Sequence, residues 1–226
     1  SWNGADILRP TPRDASHPFD TACFPLAPYT NRIANGVFRF EGRNVRAAPN
    51  FPLSPHPMHG HAWLAPWRLA EATSDQARIV FERAASDDWP WAYAAQQTVR
   101  LSGEGLRVEL EIANLSAAVM PVSFGFHPYF PKLPGARLRA DVGGVWLADE
   151  DVLPTVLAAE ASLLPLETGA DIFHAPFVDH CHTGWRGPMT LHQPALDLCV
   201  TMSASGNLGF LHLFVPNEAG YFCAEP

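Results

Sequence analysis

Proline and glycine leave this chain little room for helices. Twenty-two prolines and 16 glycines are spread along 226 residues, so almost no window lets apolar residues recur at helical spacing over three turns. A chain punctuated in this way folds into strands and loops. The clearest period of two runs from Leu106 to Asn114, where Leu106, Val108, Leu110 and Ile112 alternate with Arg107, Glu109, Glu111 and Ala113. Such alternation gives one buried and one wet face. Its antiparallel partner is Tyr93 to Leu101, joined through the glycine-bearing loop Ser102-Gly103-Glu104-Gly105. Val37 to Phe40 and Asn44 to Arg46 pair in the same manner around Glu41-Gly42-Arg43. Further strands are expected at Arg78 to Arg83, Pro121 to Phe126, Arg137 to Val142, Asp197 to Ser203, Phe210 to Val215 and Gly220 to Ala224. The total is about nine or ten.

A helix-poor chain buries its apolar faces only sheet against sheet, so the expected class is all-β, a large antiparallel sandwich or barrel. With 47% hydrophobic residues there is material for one sizeable core. No repeat, linker or step in composition divides the chain, which reads as a single domain over 1–226. The Pro/Ala-rich stretches Ala47 to Pro57 and Leu153 to Ala161 read as long surface loops.

Charge narrows the partners. The net charge is −8 and Lys132 is the only lysine, so the basic footprint that nucleic acid or an anionic membrane surface requires is missing. No apolar run reaches the ~18–20 residues of a membrane span, and Ser1 to Pro10 lacks a signal-peptide pattern. Cys23, Cys181, Cys199 and Cys223 are scattered without a C-x-x-C pair and read as buried free thiols. Together these features predict a soluble, cytoplasmic protein. The sequence opens without Met and closes directly after an apolar run, so the domain is expected to be incomplete at one or both ends.

Five polar clusters stand out against this background. Pro28-Tyr29-Thr30-Asn31-Arg32 precedes a hairpin, and its Arg32 can fork onto neighbouring hydroxyls or onto loop carbonyls. Pro55-His56-Pro57-Met58-His59-Gly60-His61-Ala62-Trp63 carries His59 and His61 two apart, the spacing that puts two metal ligands on one side of a strand. Phe124-Gly125-Phe126-His127-Pro128-Tyr129-Phe130 embeds an imidazole among aromatics, which lowers its pKa and makes it a workable proton donor or acceptor. Val178-Asp179-His180-Cys181-His182 offers a carboxylate in what reads as a loop. Glu225 follows the apolar run Tyr221-Phe222-Cys223-Ala224, where partial desolvation raises a carboxylate's basicity. Arg, His, Asp, Glu and Trp together suit a neutral sugar: the charged groups take hydroxyls, and aromatic faces cover the C–H side of a pyranose. No serine elbow, nucleotide glycine loop or cysteine metal set competes with that reading.

Taken in order, "FPLAPYTNRIANGVFRFEGR", "PHPMHGHAWLAPWRL", "FGFHPYF", "VDHCHTGW" and the closing "AEP" resemble the aldose 1-epimerase (galactose mutarotase-like) family. The resemblance implies a β-supersandwich and an isomerase of carbohydrate metabolism that exchanges sugar anomers without metal or organic cofactor. It assigns Glu225 as the base at the O1 hydroxyl and His127 as the acid at the ring oxygen. Arg32, His59, Asp179, Asn31 and Trp63 become the substrate-binding set. Phe126 stands where the family usually has a polar residue, and Gly60-His61 replaces a Gly-Gly, so the sugar preference stays open. Two alternatives share the scaffold: a non-catalytic carbohydrate-binding protein, and an epimerase of a hexose 6-phosphate using Arg43, Arg46 or Arg68. A third alternative is a cupin-type metal isomerase built on His59 and His61.

Overall fold

Strand is nearly all of the regular structure in the computed structural model, which describes residues 1–158 and 164–226. In chain order the strands are β1 (Cys23–Leu26), β2 (Val37–Phe40), β3 (Arg43–Arg46), β4 (Arg68–Ala72), β5 (Gln76–Arg83), β6 (Tyr93–Ser102), β7 (Gly105–Asn114), β8 (Gly125–Pro131) and β9 (Arg137–Asp141). They continue with β10 (Gly144–Ala148), β11 (Pro154–Ala158), β12 (Ala170–Asp171), β13 (Val178–Thr183), β14 (Arg186–Gln193), β15 (Leu198–Met202), β16 (Phe210–Val215) and β17 (Tyr221–Glu225). Among the described residues three short 3₁₀ turns are the sole helical elements, and no helix is long and apolar enough to cross a membrane.

The all-β class holds, and the expected hairpins form: β6 pairs with β7 from Tyr93↔Asn114 to Ser102↔Gly105, and β2 with β3 around Glu41-Gly42. Four expectations need correction. Among the described residues seventeen strands replace nine or ten, because several are short or contain Pro or Gly and so carry no visible alternation. Of Pro121 to Phe126 only Gly125 and Phe126 are strand; they open β8, which runs through the aromatic motif to Pro131. Within the expected loop Leu153 to Ala161, Pro154–Ala158 is strand β11 antiparallel to β10, and its last residues, 159–161, lie outside the described ones. Nor are the thiols uniformly buried: Cys223 is, Cys23 and Cys181 are half-buried, and Cys199 is exposed.

The described residues form two compact units. The first comprises Ser1–Phe24 and Phe126–Pro226. Its larger sheet has the order β1-β8-β17-β16-β13-β10-β11, and its smaller one β12-β9-β14-β15. Alternation decides what each side does. Leu211, Leu213 and Val215 on β16, and Phe222 and Ala224 on β17, turn one way and join Leu138, Ala140, Met189 and Leu191 of the smaller sheet in a core where nearly every member is fully buried. Each such Leu or Phe contributes about 1.5–3 kcal/mol by leaving water. His212 and Phe214 on β16, and Cys223 and Glu225 on β17, therefore line the opposite face of the larger sheet.

The second unit, Pro25–Gly125, holds the meander β4-β5-β6-β7 and the hairpin β2-β3. Its core is aromatic, with Trp89, Trp91, Tyr93 and Tyr29 packed around Val45 and Met120. Gly60 is a fixed point here. It has φ +71°, and a Cβ would sit 2.1 Å from the Ala27 carbonyl oxygen and 2.5 Å from Pro28 Cδ. Gly60→Ala is therefore expected to destabilise this unit by roughly 2–5 kcal/mol, the sum of left-handed strain and overpacking. Gly206→Ala, where a Cβ meets nothing within 4 Å, should stay within about 0.5 kcal/mol. Equal denaturation midpoints for the two variants would contradict this account.

Candidate active site

The face of the larger sheet turned away from the core carries a group of polar side chains. β17 pairs with β8 through Tyr221↔Pro131 and Cys223↔Tyr129, and extending that register by two residues sets Glu225 opposite His127. Glu225 is in turn the ladder partner of His212, and His212 of Cys181. A single cross-strand row thus reads His127, Glu225, His212, Cys181 over β8, β17, β16 and β13. Partners in such a row have Cβ atoms about 4.5–5.5 Å apart, close enough for direct side-chain contact. His127 Nε2 lies 3.3 Å from Glu225 Oε1, and both side chains are buried.

Aromatic rings hold the imidazole. His127 is stacked between Phe24 at 4.6 Å and Tyr129 at 4.7 Å between centroids, with interplanar angles of 26° and 23°. Arg9 lies 3.8 Å over the Tyr129 ring and 4.7 Å over that of Tyr221 and donates to the Phe19 and Thr21 carbonyls. Burial pushes His127 down to about 3, and the positive charge of His212 adds to the shift. The ring is neutral at pH 7.

Asp179 is on β13, a strand where the sequence reading had a loop. A loop was expected because Asp-His-Cys-His has no apolar alternation to report a strand. Asp179 accepts from His212 Nε2 at 2.8 Å. His212 itself is the residue that sequence reasoning missed. In Phe210-Leu211-His212-Leu213-Phe214 a lone histidine looks like core, yet the signal was present: it alternates with Leu211, Leu213 and Val215, all fully buried. Burial alone would depress His212, but the bonds to Asp179 and Cys181 and the charge of Glu225 outweigh it and lift the ring to about 10. At neutral pH His212 is a cation bonded to Asp179 and paired across the ladder with Glu225.

These shifts make stability depend on pH. His212 is raised in the folded state, so its contribution is complete below the ordinary value of 6.5 and fades as pH climbs toward 10. Relative to His212→Gln, the wild-type protein is expected to lose stability across that window. Melting curves of the two proteins that differ by a constant amount from pH 6.5 to 10 would rule out the ion pair.

The remaining candidates belong to the second unit and lie together there. The His59 amide donates to the Asn31 carbonyl at 2.9 Å, Arg32 bridges to Met58, and Arg32 N–H bonds Asn31 Oδ1 at 2.8 Å. The Trp63 indole donates to the Met58 carbonyl at 3.1 Å and meets His59 edge-on. Asn31 and His59 both adopt left-handed backbone, φ 55° and 58°. Asn50, from the stretch read as a plain loop, clamps this segment: its amide donates to the carbonyls of Met58 and Gly60 and accepts from the Met58 N–H, at 2.7–2.8 Å. A strand carrying His59 and His61 on one side does not form. His61 instead lies 3.3 Å from Asp88, which also accepts from Arg83 and from the Ser86 hydroxyl, and the cupin reading loses its geometry. The one set of three potential metal ligands among the described residues is His127, Cys223 and Glu225, whose donor atoms lie within 4.8 Å of one another.

The family model described as aldose 1-epimerase matches residues 1–226. The chain belongs to the aldose 1-epimerase family. This aldose 1-epimerase family member is 30% identical over 220 residues to the uncharacterized protein YphB of Escherichia coli (strain K12), an overlap of 92% of this chain and 73% of YphB. It superposes with a TM-score of 0.89 and 28% identity on the crystal structure of a candidate aldose 1-epimerase from Escherichia coli K12, over 97% of this chain and 77% of that one. A galactose mutarotase-like protein of Clostridium acetobutylicum gives a TM-score of 0.82 at 20% identity, over 97% and 74% of the two chains. That last likeness speaks to the fold alone.

Proposed function

We propose that this aldose 1-epimerase family member is a cofactor-independent mutarotase, exchanging the α and β anomers of a free hexose by opening and reclosing the ring. The observation that carries the proposal is the buried contact of 3.3 Å between His127 and Glu225. An imidazole and a carboxylate on one rigid sheet face form an acid–base couple whose members cannot drift apart.

Glu225 takes the proton from the O1 hydroxyl while His127 delivers one to the ring oxygen, and the C1–O5 bond breaks to leave an aldehyde. C1 turns about the C1–C2 bond, and the two groups exchange roles on closure. The couple must hold one proton between them. Carboxylate with imidazolium is the reactive form, and carboxylic acid with neutral imidazole is the form that ring opening leaves behind. Burial favours the uncharged form, in keeping with the depressed His127. Sugar oxygens at both ends of the couple supply the polar contacts that bring the charged form within reach.

Asp179 is the acceptor for hydroxyls remote from C1, and His212 supports it by occupying one of its oxygens. Hydroxyl-binding roles for Arg32, His59, Asn31 and Trp63 rest on the motif resemblance and on the mutual bonds that fix them within their unit.

NMR exchange spectroscopy or polarimetry on fresh α-D-galactose and α-D-glucose tests the proposal. Exchange should accelerate in proportion to protein concentration and survive EDTA. Saturable sugar binding without acceleration would point to a carbohydrate-binding protein, and activity abolished by the chelator would point to metal chemistry.

A further inference from the structure

From the triad His127, Cys223 and Glu225 we propose a second property: a binding site for a thiophilic divalent cation such as Zn²⁺, which shuts off the acid–base couple by ligating both of its members. Cation binding stands on geometry alone, whereas the inhibitory consequence rests on the proposed epimerase function.

The strands place the donors. Cys223 and Glu225 are two apart on β17 and so share a face, and His127 comes from the adjoining strand β8. All three are buried, with donor atoms within 4.8 Å of one another. Tetrahedral zinc with Zn–N and Zn–O bonds of about 2.0–2.1 Å sets its N and O ligands about 3.3–3.4 Å apart. The His127 Nε2 to Glu225 Oε1 separation is 3.3 Å, so that edge of the tetrahedron already exists. A Zn–S bond of about 2.3 Å asks for S···N and S···O separations near 3.6 Å, which rotation of the Cys223 side chain can supply. A nitrogen, a sulfur and a carboxylate oxygen leave the fourth position for water or a sugar hydroxyl, the pattern of an open zinc site.

Charge and protonation fit as well. Burial and the nearby Glu225 charge hold the Cys223 thiol well above its ordinary value, so it stays protonated until a cation displaces that proton. Zn²⁺, one thiolate, one carboxylate and a neutral imidazole sum to zero charge, and two protons leave for solvent, one from the thiol and one from the His127–Glu225 couple. Affinity therefore rises with pH. Inhibition follows because the Nε2 lone pair and the carboxylate oxygen cannot ligate the ion and move protons at the same time.

Co²⁺ titration of the chelator-treated protein reads the site without reference to activity. One equivalent should give tetrahedral visible bands and a near-ultraviolet thiolate-to-cobalt band. Cys223→Ser should abolish the thiolate band, and Cys199→Ser, at the exposed thiol, should leave it. In anomer exchange, Zn²⁺ should inhibit reversibly on EDTA addition, and Cys223→Ser should need about tenfold or more Zn²⁺ for the same fractional inhibition. Circular dichroism melts confirm that both variants are folded; if Cys223→Ser is not, Cys223→Ala replaces it. Absence of a thiolate band in the wild type, or its persistence in the folded Cys223 variant, overturns the site. Protein without epimerase activity that still shows the Cys223-dependent band would retain the site while the functional proposal fails.

Discussion

Glu225→Gln is expected to lower kcat for anomer exchange by about 10²–10⁴, the usual worth of a positioned general base. Gln keeps the length and planarity of the side chain and its place in the cross-strand row between His127 and His212. It does not keep the ability to accept the O1 proton. The fold should survive, because the core packs on the other face of β17, through Phe222 and Ala224. KM should change less than kcat, since an amide still bonds a hydroxyl. Wild-type kcat in the folded variant would remove Glu225 from the role of base.

His127→Asn is expected to cost a similar factor, about 10²–10⁴ in kcat. Asn fills part of the slot between Phe24 and Tyr129 and hydrogen-bonds an oxygen, but it cannot deliver a proton to O5. The double variant is the sharper experiment. In the proposed mechanism acid and base act in one concerted event, so losing both should cost little more than losing either, as for residues that work as a unit. Rate losses that multiply in the double variant would mean that the two residues act in separate steps, against the coupled mechanism.

How far the residues themselves announced this site differs from one to the next. His127 and Glu225 were visible because each sits in a local anomaly: an imidazole among four aromatics, and a carboxylate closing an apolar run. Asp179 was visible as a carboxylate but misplaced in a loop, since a polar strand at the site carries no alternation to betray it. His212 went unseen for the opposite reason. Its neighbours are so apolar that the histidine reads as buried core despite its alternation with Leu211, Leu213 and Val215, and the ladder pairing with Glu225 makes plain which face it takes. Asn50 was hidden in a Pro/Ala-rich stretch where one amide looks like any other loop residue. Its two carbonyl partners on Met58 and Gly60 exist only once the chain has folded back.

Short-range chemistry settled what the sequence could settle by itself. Proline and glycine punctuation excluded helices, alternation located the hairpins, and five ordered motifs pointed to the family. These are properties of a few neighbouring residues and need no knowledge of distant ones. Pairing belongs to the tertiary structure. The meeting of a mid-chain imidazole with a carboxylate near the C-terminus, the cation formed at His212, and the thiol beside them all depend on the register of β8, β17, β16 and β13. That register is fixed by burial of the opposite face against the smaller sheet: a slip of one residue would turn Leu211, Leu213 and Phe222 toward the polar side. The core thereby aligns the row His127, Glu225, His212 and Cys181, although no core residue belongs to it.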